Sequence, residues 1–252
     1  MRFASLGSGS RGNATLVEQG DTLLLIDCGF SLRETERRLL RLGRDPAQVS
    51  ALLVTHEHGD HISGIALFAR RYKVPVWLSA GTRSACRDDI PGAVVFSSHS
   101  PFAVGDLEIT PFPVPHDARE PAQFVFGNGV HRLGLLTDTG SLTPHIEQQL
   151  TGCDALLLES NHDRTMLANG IYPPVLKARV GGDYGHLSND QAGALLRRID
   201  CSRLQHIVAA HLSDKNNTPL LAGTALSAAL GCSPEWIGIA GQDNGLDWRE
   251  LG

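Results

Sequence analysis

The sequence predicts an α/β (α+β) fold in which two β-sheets pack face to face and helices cover both outer surfaces. Apolar runs with strand character recur along the chain, helical segments separate them, and the strands cluster in two halves with flanking helices. The 252 residues contain no internal repeat, low-complexity tract or long linker. We therefore expect one domain spanning residues 1–252.

The individual elements follow from local patterns. Apolar or β-branched runs bounded by turn residues predict strands at 1–6, 14–18, 22–26, 51–54, 74–78, 93–96, 107–114, 123–126, 132–137, 155–158 and 207–209. Helices are predicted at 31–42, 63–72, 144–150, 189–199 and 219–230. Ser31 is the expected N-cap of the first helix, with Glu34 in the capping-box position.

Composition indicates an ordinary globular protein, with 42% hydrophobic and 19% charged residues. No apolar run approaches the ~20 residues that span a bilayer, and the start lacks a secretory apolar core, so we expect no membrane contact and a cytoplasmic location. The five cysteines are scattered, which favours reduced thiols over disulfides. A net charge of −5 argues against binding nucleic acid through bulk charge, though not against local capture of a phosphate.

The segment 55–61, Thr-His-Glu-His-Gly-Asp-His, holds four potential metal ligands directly after the predicted strand 51–54. Because an extended backbone sends residues i and i+2 to the same side, His56 and His58 can converge on one cation. The following turn can carry Asp60 and His61 to a second cation about 3.5–4 Å away. Imidazole and carboxylate ligands together suit Zn²⁺, and less selectively Mn²⁺ or iron.

Three later residues each follow an apolar strand, where a site at one edge of the sheets would be built. They are His116, Asp138 and His211. With them two sets of ligands can be completed, and Asp138 would bridge two divalent cations. The two sets are His56, His58 and His116, and Asp60, His61 and His211.

Three other segments offer supporting roles. The glycine-rich segment 7–13 is either a hairpin turn or a loop that presents backbone N–H groups, Ser10 or Asn13 to the site. Asp27 follows the strand 22–26, so its carboxylate either accepts the second N–H of a ligand histidine or caps a turn. The helix 31–42 is arginine-rich, which is typical of a solvated face or of a phosphate-binding patch. Its arginines and the one just beyond are Arg33, Arg37, Arg38, Arg41 and Arg44.

The pattern His56-x-His58-x-Asp60-His61, with His116, Asp138 and His211, resembles the metallo-β-lactamase superfamily. Four further segments are similar to its YycJ-like branch (also called WalJ or VicX), which is related to tRNase Z and to PhnP-type phosphodiesterases. They are Ser8-Gly9-Ser10-Arg11-Gly12-Asn13, Glu159-Ser160-Asn161-His162-Asp163, Gly185-His186-Leu187-Ser188-Asn189 and His211-Leu212-Ser213-x-x-Asn216-Asn217. The resemblance covers residues 1 to about 220 and implies a four-layer αββα sandwich with a dinuclear site.

The resemblance implies a phosphodiesterase that depends on two divalent cations, Zn²⁺ or Mn²⁺ and less selectively iron, with a metal-bound hydroxide as nucleophile. Asp60 would serve both metal and reaction. His186, at the Gly-His position, would be the acid or a substrate contact, unless it only precedes the helix cap. Two divalent cations, two carboxylates and one hydroxide sum to about +1, which favours an anionic substrate.

The implied substrate is nucleic acid, DNA in preference to RNA, and the implied activity is that of an exonuclease. Hydrolysis of small phosphodiesters such as cyclic nucleotides is the alternative, and a non-catalytic regulatory protein is a third. Residues 163–184 bear Lys177 and Arg179 and suggest a small lid or clamp for a nucleic-acid strand. His162 and Asp163 belong to a branch motif, and both a substrate or supporting contact and a surface turn are open for them.

Overall fold

The computed structural model describes residues 1–86 and 89–252 and contains two seven-stranded sheets. The strands are β1 (Arg2–Gly7), β2 (Ala14–Gln19), β3 (Thr22–Ile26), β4 (Ala51–Leu53), β5 (Val76–Ser79), β6 (Ala93–Phe96), β7 (Phe102–Val104), β8 (Leu107–Pro113), β9 (Ala122–Gly127), β10 (Arg132–Leu136), β11 (Ala155–Glu159), β12 (His206–Ala210), β13 (Ile237–Ile239) and β14 (Leu246–Glu250). The helices are α1 (Leu32–Arg41), α2 (Gly59–Ile62), α3 (Ile65–Tyr72), α4 (Ala80–Ala85), α5 (Pro144–Leu150), α6 (Arg164–Asn169), α7 (Pro174–Val180), α8 (Asn189–Leu196) and α9 (Pro219–Leu230). Within these described residues, no helix is both long and apolar enough to cross a lipid bilayer.

The two sheets share one internal plan. In the first, β14, β1, β2 and β3 are antiparallel neighbours, and β4, β5 and β6 continue from β3 in parallel. In the second, β7 to β10 are antiparallel neighbours, and β11, β12 and β13 continue from β10 in parallel. The N-terminal half of the chain (β1 to β6) and the C-terminal half (β7 to β13) therefore each finish in a set of parallel strands, whose carboxyl ends can carry functional loops. β14 then returns to pair with β1.

Three apolar layers hold the sheets and helices together. Parallel strands covered on both faces are apolar along most of their length, as residues 155–158 of β11 illustrate. Its Ala155 and Leu157 pack between the two sheets, whereas Leu156 and Leu158 pack outward in the layer that includes Leu195 of α8. A corresponding outer layer covers the first sheet beneath α1 and α3. This arrangement confirms the predicted αββα sandwich.

Several element predictions are incomplete or wrong. The sequence patterns do not predict the strands β7, β13 and β14 or the short helices α4, α6 and α7. The predicted helix 63–72 is wrong at its start, because α2 ends at Ile62 and Gly64 separates it from α3. A Cβ on Gly64 would lie 2.2 Å from the Phe30 carbonyl oxygen, so this junction requires glycine. The predicted helix 189–199 ends at Leu196 instead. β14 was missed because its place depends on pairing with β1, at the opposite end of the chain.

The carboxyl ends of the parallel strands of both sheets lie at one edge of the sandwich. Asp27 follows β3, Asp138 follows β10 by one residue and His211 follows β12. Among the described residues, these three and Lys73 are the non-glycine residues with positive φ, between 52° and 60°. Left-handed backbone costs an L-residue roughly 1–2 kcal/mol, so the surrounding packing must hold these turns in place. Such strain is typical of functional sites.

Candidate metal centre

Three histidine rings point nitrogen atoms at one spot. His56 and His58 come after β4, and His116 comes after β8. His58 Nδ1 lies 3.0 Å from His56 Nε2 and 3.3 Å from His116 Nε2. Nitrogen ligands about 2.05 Å from a tetrahedral zinc ion are roughly 3.3 Å apart, so this spacing fits a divalent cation.

A second set of ligand atoms faces a neighbouring point. His61 Nε2 lies 3.5 Å from Asp60 Oδ2 and 3.4 Å from Asp138 Oδ2, and His211 Nε2 lies 3.8 Å from Asp60 Oδ2. Asp138 Oδ2 and His211 Nε2 are buried without a hydrogen-bond partner. Because buried polar atoms are nearly always paired, two unpaired atoms in this position fit a bound cation.

The structure brings all seven predicted ligands to this one edge. Asp138 lies between the two sets: its carboxylate is within 4.8 Å of ligand atoms on His56 and His61, and it also contacts His211. One carboxylate is thus within reach of both sets. This cluster indicates a site for divalent metal.

The second nitrogen of each ring fixes which nitrogen faces the centre. His116 Nδ1 lies 3.0 Å from the Gly185 carbonyl oxygen, and His58 Nε2 lies 3.2 Å from the Asp117 carbonyl oxygen. A ring N–H donated to a carbonyl leaves the other nitrogen free to bind a metal. These contacts orient His116 so that its Nε2 faces the centre, and His58 so that its Nδ1 does.

Asp27 holds two histidines of the segment 55–61 in position. Its Oδ2 lies 2.8 Å from His61 Nδ1 and accepts the Thr55 hydroxyl at 2.8 Å, while Oδ1 accepts the Thr55 N–H. The Thr55 hydroxyl in turn lies 3.0 Å from His56 Nδ1. One buried carboxylate therefore orients His61 directly and His56 through Thr55, which favours ligand support over turn capping alone.

Burial and mutual charges set the pKa values of the centre. Burial, and then His61, lower the pKa of His56, so His56 is neutral, as a ligand must be. Burial also acts to lower the pKa of His61, but the Asp138 and Asp27 carboxylates outweigh it and raise that pKa well above its usual value. Burial acts to raise the pKa of Asp138, but His211 and His61 outweigh it and hold it well below its usual range. Because imidazoles must lose their protons to bind metal, cation affinity must weaken as the pH falls.

Glu159 is a site residue that the sequence analysis missed. It is fully buried at the end of β11, and its Oε1 lies 2.8 Å from His186 Nδ1 and 3.2 Å from His211 Nδ1. Its Oε2 accepts the N–H groups of Thr139 and Leu187, each at 3.0 Å. Its position after an apolar strand is the same pattern that located Asp138 and His211, and that pattern could have found it.

The glycine-rich segment 7–13 lies against the second ligand set. Asn13 Oδ1 accepts the Gly9 N–H at 2.8 Å, and Asn13 Nδ2 donates to Asp60 Oδ2 at 3.3 Å. The C-terminal Gln242 holds the loop from outside, since its amide donates to the Gly12 carbonyl and accepts the Arg11 N–H. The loop is therefore a support for Asp60, and Ser10 within it reaches the pocket.

A pocket of about 370 Å³ opens over the cluster. The residues that line it include Ser10, His58, Asp60, Asp117, Asp138, Asn161, Tyr172, Leu176, Arg179, Val180, His186, His211 and Ser213. Arg179 lines it and donates from Nε to Asp117 Oδ2 at 2.6 Å. Lys177 does not line it, and its Nζ donates to the Ala168 carbonyl oxygen at 2.6 Å. Lys177 and Arg179, for which the sequence analysis predicts the same role, thus have different surroundings.

His162 and Asp163 have internal contacts. The Asp163 side chain accepts the Met166 N–H at 2.8 Å and caps α6. His162 is buried, its carbonyl accepts the Asn189 N–H, and burial lowers the pKa of its ring to about 4. These contacts favour a structural role over direct contact with a substrate.

Two arginines of α1, and one just beyond it, are bound to the protein itself. Arg37 and Arg38 both pair with Glu34, and the buried Arg38 also donates to the carbonyls of Leu6 and Gln242. Just beyond the helix, Arg44 forms two hydrogen bonds with Glu18. Such contacts favour a structural role for this helix over a phosphate-binding patch.

Comparison with known proteins adds to this geometry. Residues 22–208 match the family model described as the Beta-lactamase superfamily domain. The chain is 37% identical over 235 residues to exodeoxyribonuclease YycJ of Bacillus anthracis, covering 91% of this chain and 89% of that protein. It is 32% identical over 245 residues to exodeoxyribonuclease WalJ of Streptococcus pneumoniae, covering 94% and 91%. The solved structure of the metallo-beta-lactamase fold protein YhfI from Bacillus subtilis matches with a TM-score of 0.76 at 16% identity, covering 99% of both chains. A diphosphatase of the PhnP family matches with a TM-score of 0.68 at 18% identity, covering 100% of this chain and 98% of that one.

Proposed function

We propose that this chain, which belongs to the β-lactamase superfamily and to its YycJ/WalJ branch, is an exonuclease that hydrolyses DNA with two divalent cations. Membership makes it a metal-dependent hydrolase; the substrate, the number of metals and the residue roles below are the proposal. We further propose that residues 1–252 form one hydrolase domain, because β14 from the C-terminus pairs with β1 and both sheets share one apolar layer.

The observation that supports the proposal is the pair of ligand sets with Asp138 within reach of both, beside a pocket that Asp138 lines. Two adjacent cations can hold both the attacking and the leaving oxygen of a phosphodiester, which is the arrangement that phosphoryl displacement requires. The relatives named as exodeoxyribonucleases match over nine-tenths of the chain and favour DNA as the substrate. They also favour catalysis over a purely regulatory role.

The ligand atoms present suit Zn²⁺ or Mn²⁺, held by His56, His58, Asp60, His61, His116, Asp138 and His211. When bound, such cations would supply a nucleophile at neutral pH and neutralise charge on the phosphoryl oxygens. The chain's own residues would do the rest. Asp60 reaches the ligand cluster through Oδ2, and its other oxygen can accept a hydrogen bond from an attacking water.

We assign to His186 the role of giving a proton to the leaving oxygen. It lines the pocket, and its Nδ1 is bonded to the Glu159 carboxylate at 2.8 Å. With Nδ1–H donated to Glu159, Nε2 is the nitrogen that can carry and release the catalytic proton. A general acid of this kind accelerates a reaction about 10²- to 10⁴-fold.

A gel assay of end-labelled DNA and RNA, single- and double-stranded, with Mn²⁺, Zn²⁺ or EDTA, tests the proposal. We expect metal-dependent stepwise shortening of DNA, and its loss in Asp138→Ala, whose far-ultraviolet circular dichroism serves as the folding control. Shortening that survives in Asp138→Ala would contradict the shared-ligand centre. Preference for RNA would contradict the substrate but leave the centre standing.

Hydrolysis of small phosphodiesters is the second candidate. A pocket of about 370 Å³ and a net charge of −5 favour a compact substrate over a polymer held by bulk charge. This candidate predicts that bis-p-nitrophenyl phosphate or a cyclic nucleotide is hydrolysed while every labelled polymer stays intact. The same preparation and the same metals therefore distinguish the two.

A further inference from the structure

Residues 163–184, which we call the arm, form one wall of the pocket. The arm contains α6 and α7, and no residue of α7 is buried. Tyr172, Leu176, Arg179 and Val180 line the pocket together with four of the predicted metal ligands. Among the described residues, three of the ten exposed large hydrophobic side chains also lie on or at the end of the arm: Ile171, Val175 and Tyr184. Exposed apolar surface of this kind, beside a candidate metal site, is typical of a surface that binds a ligand.

Contacts at both ends hold the arm in position. Lys177 Nζ bonds the Ala168 carbonyl, which ties α7 to the end of α6, and Pro173 precedes α7 with its fixed φ. At the other end, the His186 N–H donates to the Val180 carbonyl at 2.9 Å. A Cβ on Gly185 would lie 2.1 Å from the Arg179 carbonyl oxygen, so close packing fixes this junction. The wall is thus preorganised, and little ordering is needed when a ligand binds.

The two sides of the pocket differ in chemistry. The metal centre contributes carboxylates and imidazoles, which suit a phosphate when cations are bound. The arm contributes an aromatic ring, two aliphatic side chains and the Arg179 guanidinium, which is paired with Asp117. A nucleotide has the same division, with an anionic phosphate and a base that offers an apolar face. The volume of about 370 Å³ lies near the lower end of the range for small-ligand pockets, which suits a single nucleotide.

We propose that the arm is the nucleoside-binding wall of the site: Tyr172, flanked by Leu176 and Val180, contacts the base of the nucleotide whose phosphate lies at the metal centre. This inference rests on the proposed phosphodiesterase activity and assigns the group that the enzyme recognises besides phosphate. Stacking on aromatic side chains tolerates any base, as an exonuclease that advances along DNA requires.

Two phosphodiesters that release the same chromophore test the inference: thymidine 5′-(p-nitrophenyl phosphate), which carries a base, and methyl p-nitrophenyl phosphate, which does not. We expect the wild type to prefer the thymidine ester in kcat/KM. Tyr172→Ala should reduce this preference about tenfold, because it removes the aromatic face on which the base stacks. Tyr172→Phe, which keeps the ring, should retain it. Tyr184→Ala, an exposed tyrosine at the end of the arm that does not line the pocket, is the matched control and should also retain it.

Each outcome is informative. Unchanged hydrolysis of the methyl ester by Tyr172→Ala shows that the metal centre is intact, so a loss confined to the thymidine ester supports the nucleoside wall. Equal kcat/KM for both esters in the wild type, or equal losses on both in Tyr172→Ala, would overturn the inference and leave the proposed function standing. Hydrolysis of neither ester nor of any polymer would overturn the proposed function and this inference with it.

Discussion

Two buried carboxylates, Asp27 in the N-terminal half and Glu159 in the C-terminal half, support the metal centre in different ways. Both stand at the end of a parallel strand, and each orients two histidine rings, Asp27 reaching one of them through Thr55. Both rings that Asp27 supports, those of His56 and His61, belong to the ligand sets. Glu159 supports one ligand, His211, and one residue outside the ligand sets, His186.

A buried carboxylate can therefore do two things here: orient metal ligands only, or orient a metal ligand together with a second residue of the pocket. The N-terminal half places four ligands in one short segment and needs only to hold them. The C-terminal half supplies its ligands from separate strand ends, and it also carries His186 and the arm, which line the pocket. We therefore expect changes in the first half to alter metal affinity, and changes in the second half to alter metal affinity and the reaction together.

Replacing Glu159 by glutamine should have the largest effect, because it disturbs a metal ligand and the proton donor at once. The Oε2 position accepts two backbone N–H groups, so the amide NH₂ of glutamine would turn toward His186 and His211. Both rings would then have to accept at Nδ1 and carry their protons on Nε2, which blocks His211 as a ligand. His186 would lose the carboxylate that accepts from Nδ1 when the ring is doubly protonated, and a singly protonated ring is a weaker proton donor. We expect metal affinity to fall about 10- to 100-fold and kcat to fall about 10²- to 10⁴-fold.

Metal titration separates the two parts of this effect. Saturating Mn²⁺ should restore the metal content of Glu159→Gln, measured per chain by elemental analysis, but should not restore kcat on an oligonucleotide. Glu147→Gln, at a surface glutamate paired with Arg198, is a control expected to leave both quantities unchanged. Full recovery of kcat at saturating metal would show that Glu159 serves only to hold the cation.

Replacing Asp27 by asparagine should weaken metal binding and spare the reaction. Asparagine tolerates the left-handed backbone at this position, where φ is 60°, so the turn should survive. Loss of the charge-assisted bond to His61 should lower metal affinity about 10- to 100-fold, measured by competition with a chromogenic chelator. At saturating metal, kcat should stay within about threefold of the wild type. A kcat that remains far lower would end the distinction between the two halves.

The same difference explains which parts of the site could be predicted. The ligands at residues 56–61 are adjacent in sequence, and His116, Asp138 and His211 share a position after apolar strands, so both groups follow from patterns along the chain. Glu159 shares that position and could have been located, but its role could not, because its partners, His186 and His211, are 27 and 52 residues away and only the fold brings them together. The order of strands within the sheets was likewise out of reach, because pairing such as that of β14 with β1 joins opposite ends of the chain.

Lys177 and Arg179 show most clearly what the sequence alone cannot predict. They also give the prediction with the smallest expected effect. Both are basic residues of α7, and the sequence favours both as contacts for a nucleic-acid strand. In the structure, Arg179 lines the pocket, where a phosphate could replace Asp117 as its ion-pair partner. Lys177 instead donates a hydrogen bond to the Ala168 carbonyl. In an Asp138→Ala background, which prevents cleavage, Arg179→Glu should weaken DNA binding about tenfold and reduce the salt slope by about one.

Lys177→Glu is the matched control, since it makes the same charge reversal on the same helix. It should change DNA affinity by less than about twofold, because only long-range charge, screened beyond roughly 10 Å at 0.1 M salt, is altered. Fluorescence anisotropy of labelled DNA across a salt series measures both quantities. Equal losses in the two variants would mean that α7 acts through its net charge alone. A larger loss for Lys177→Glu would mean that the strand lies on the outer face of the arm, away from the pocket.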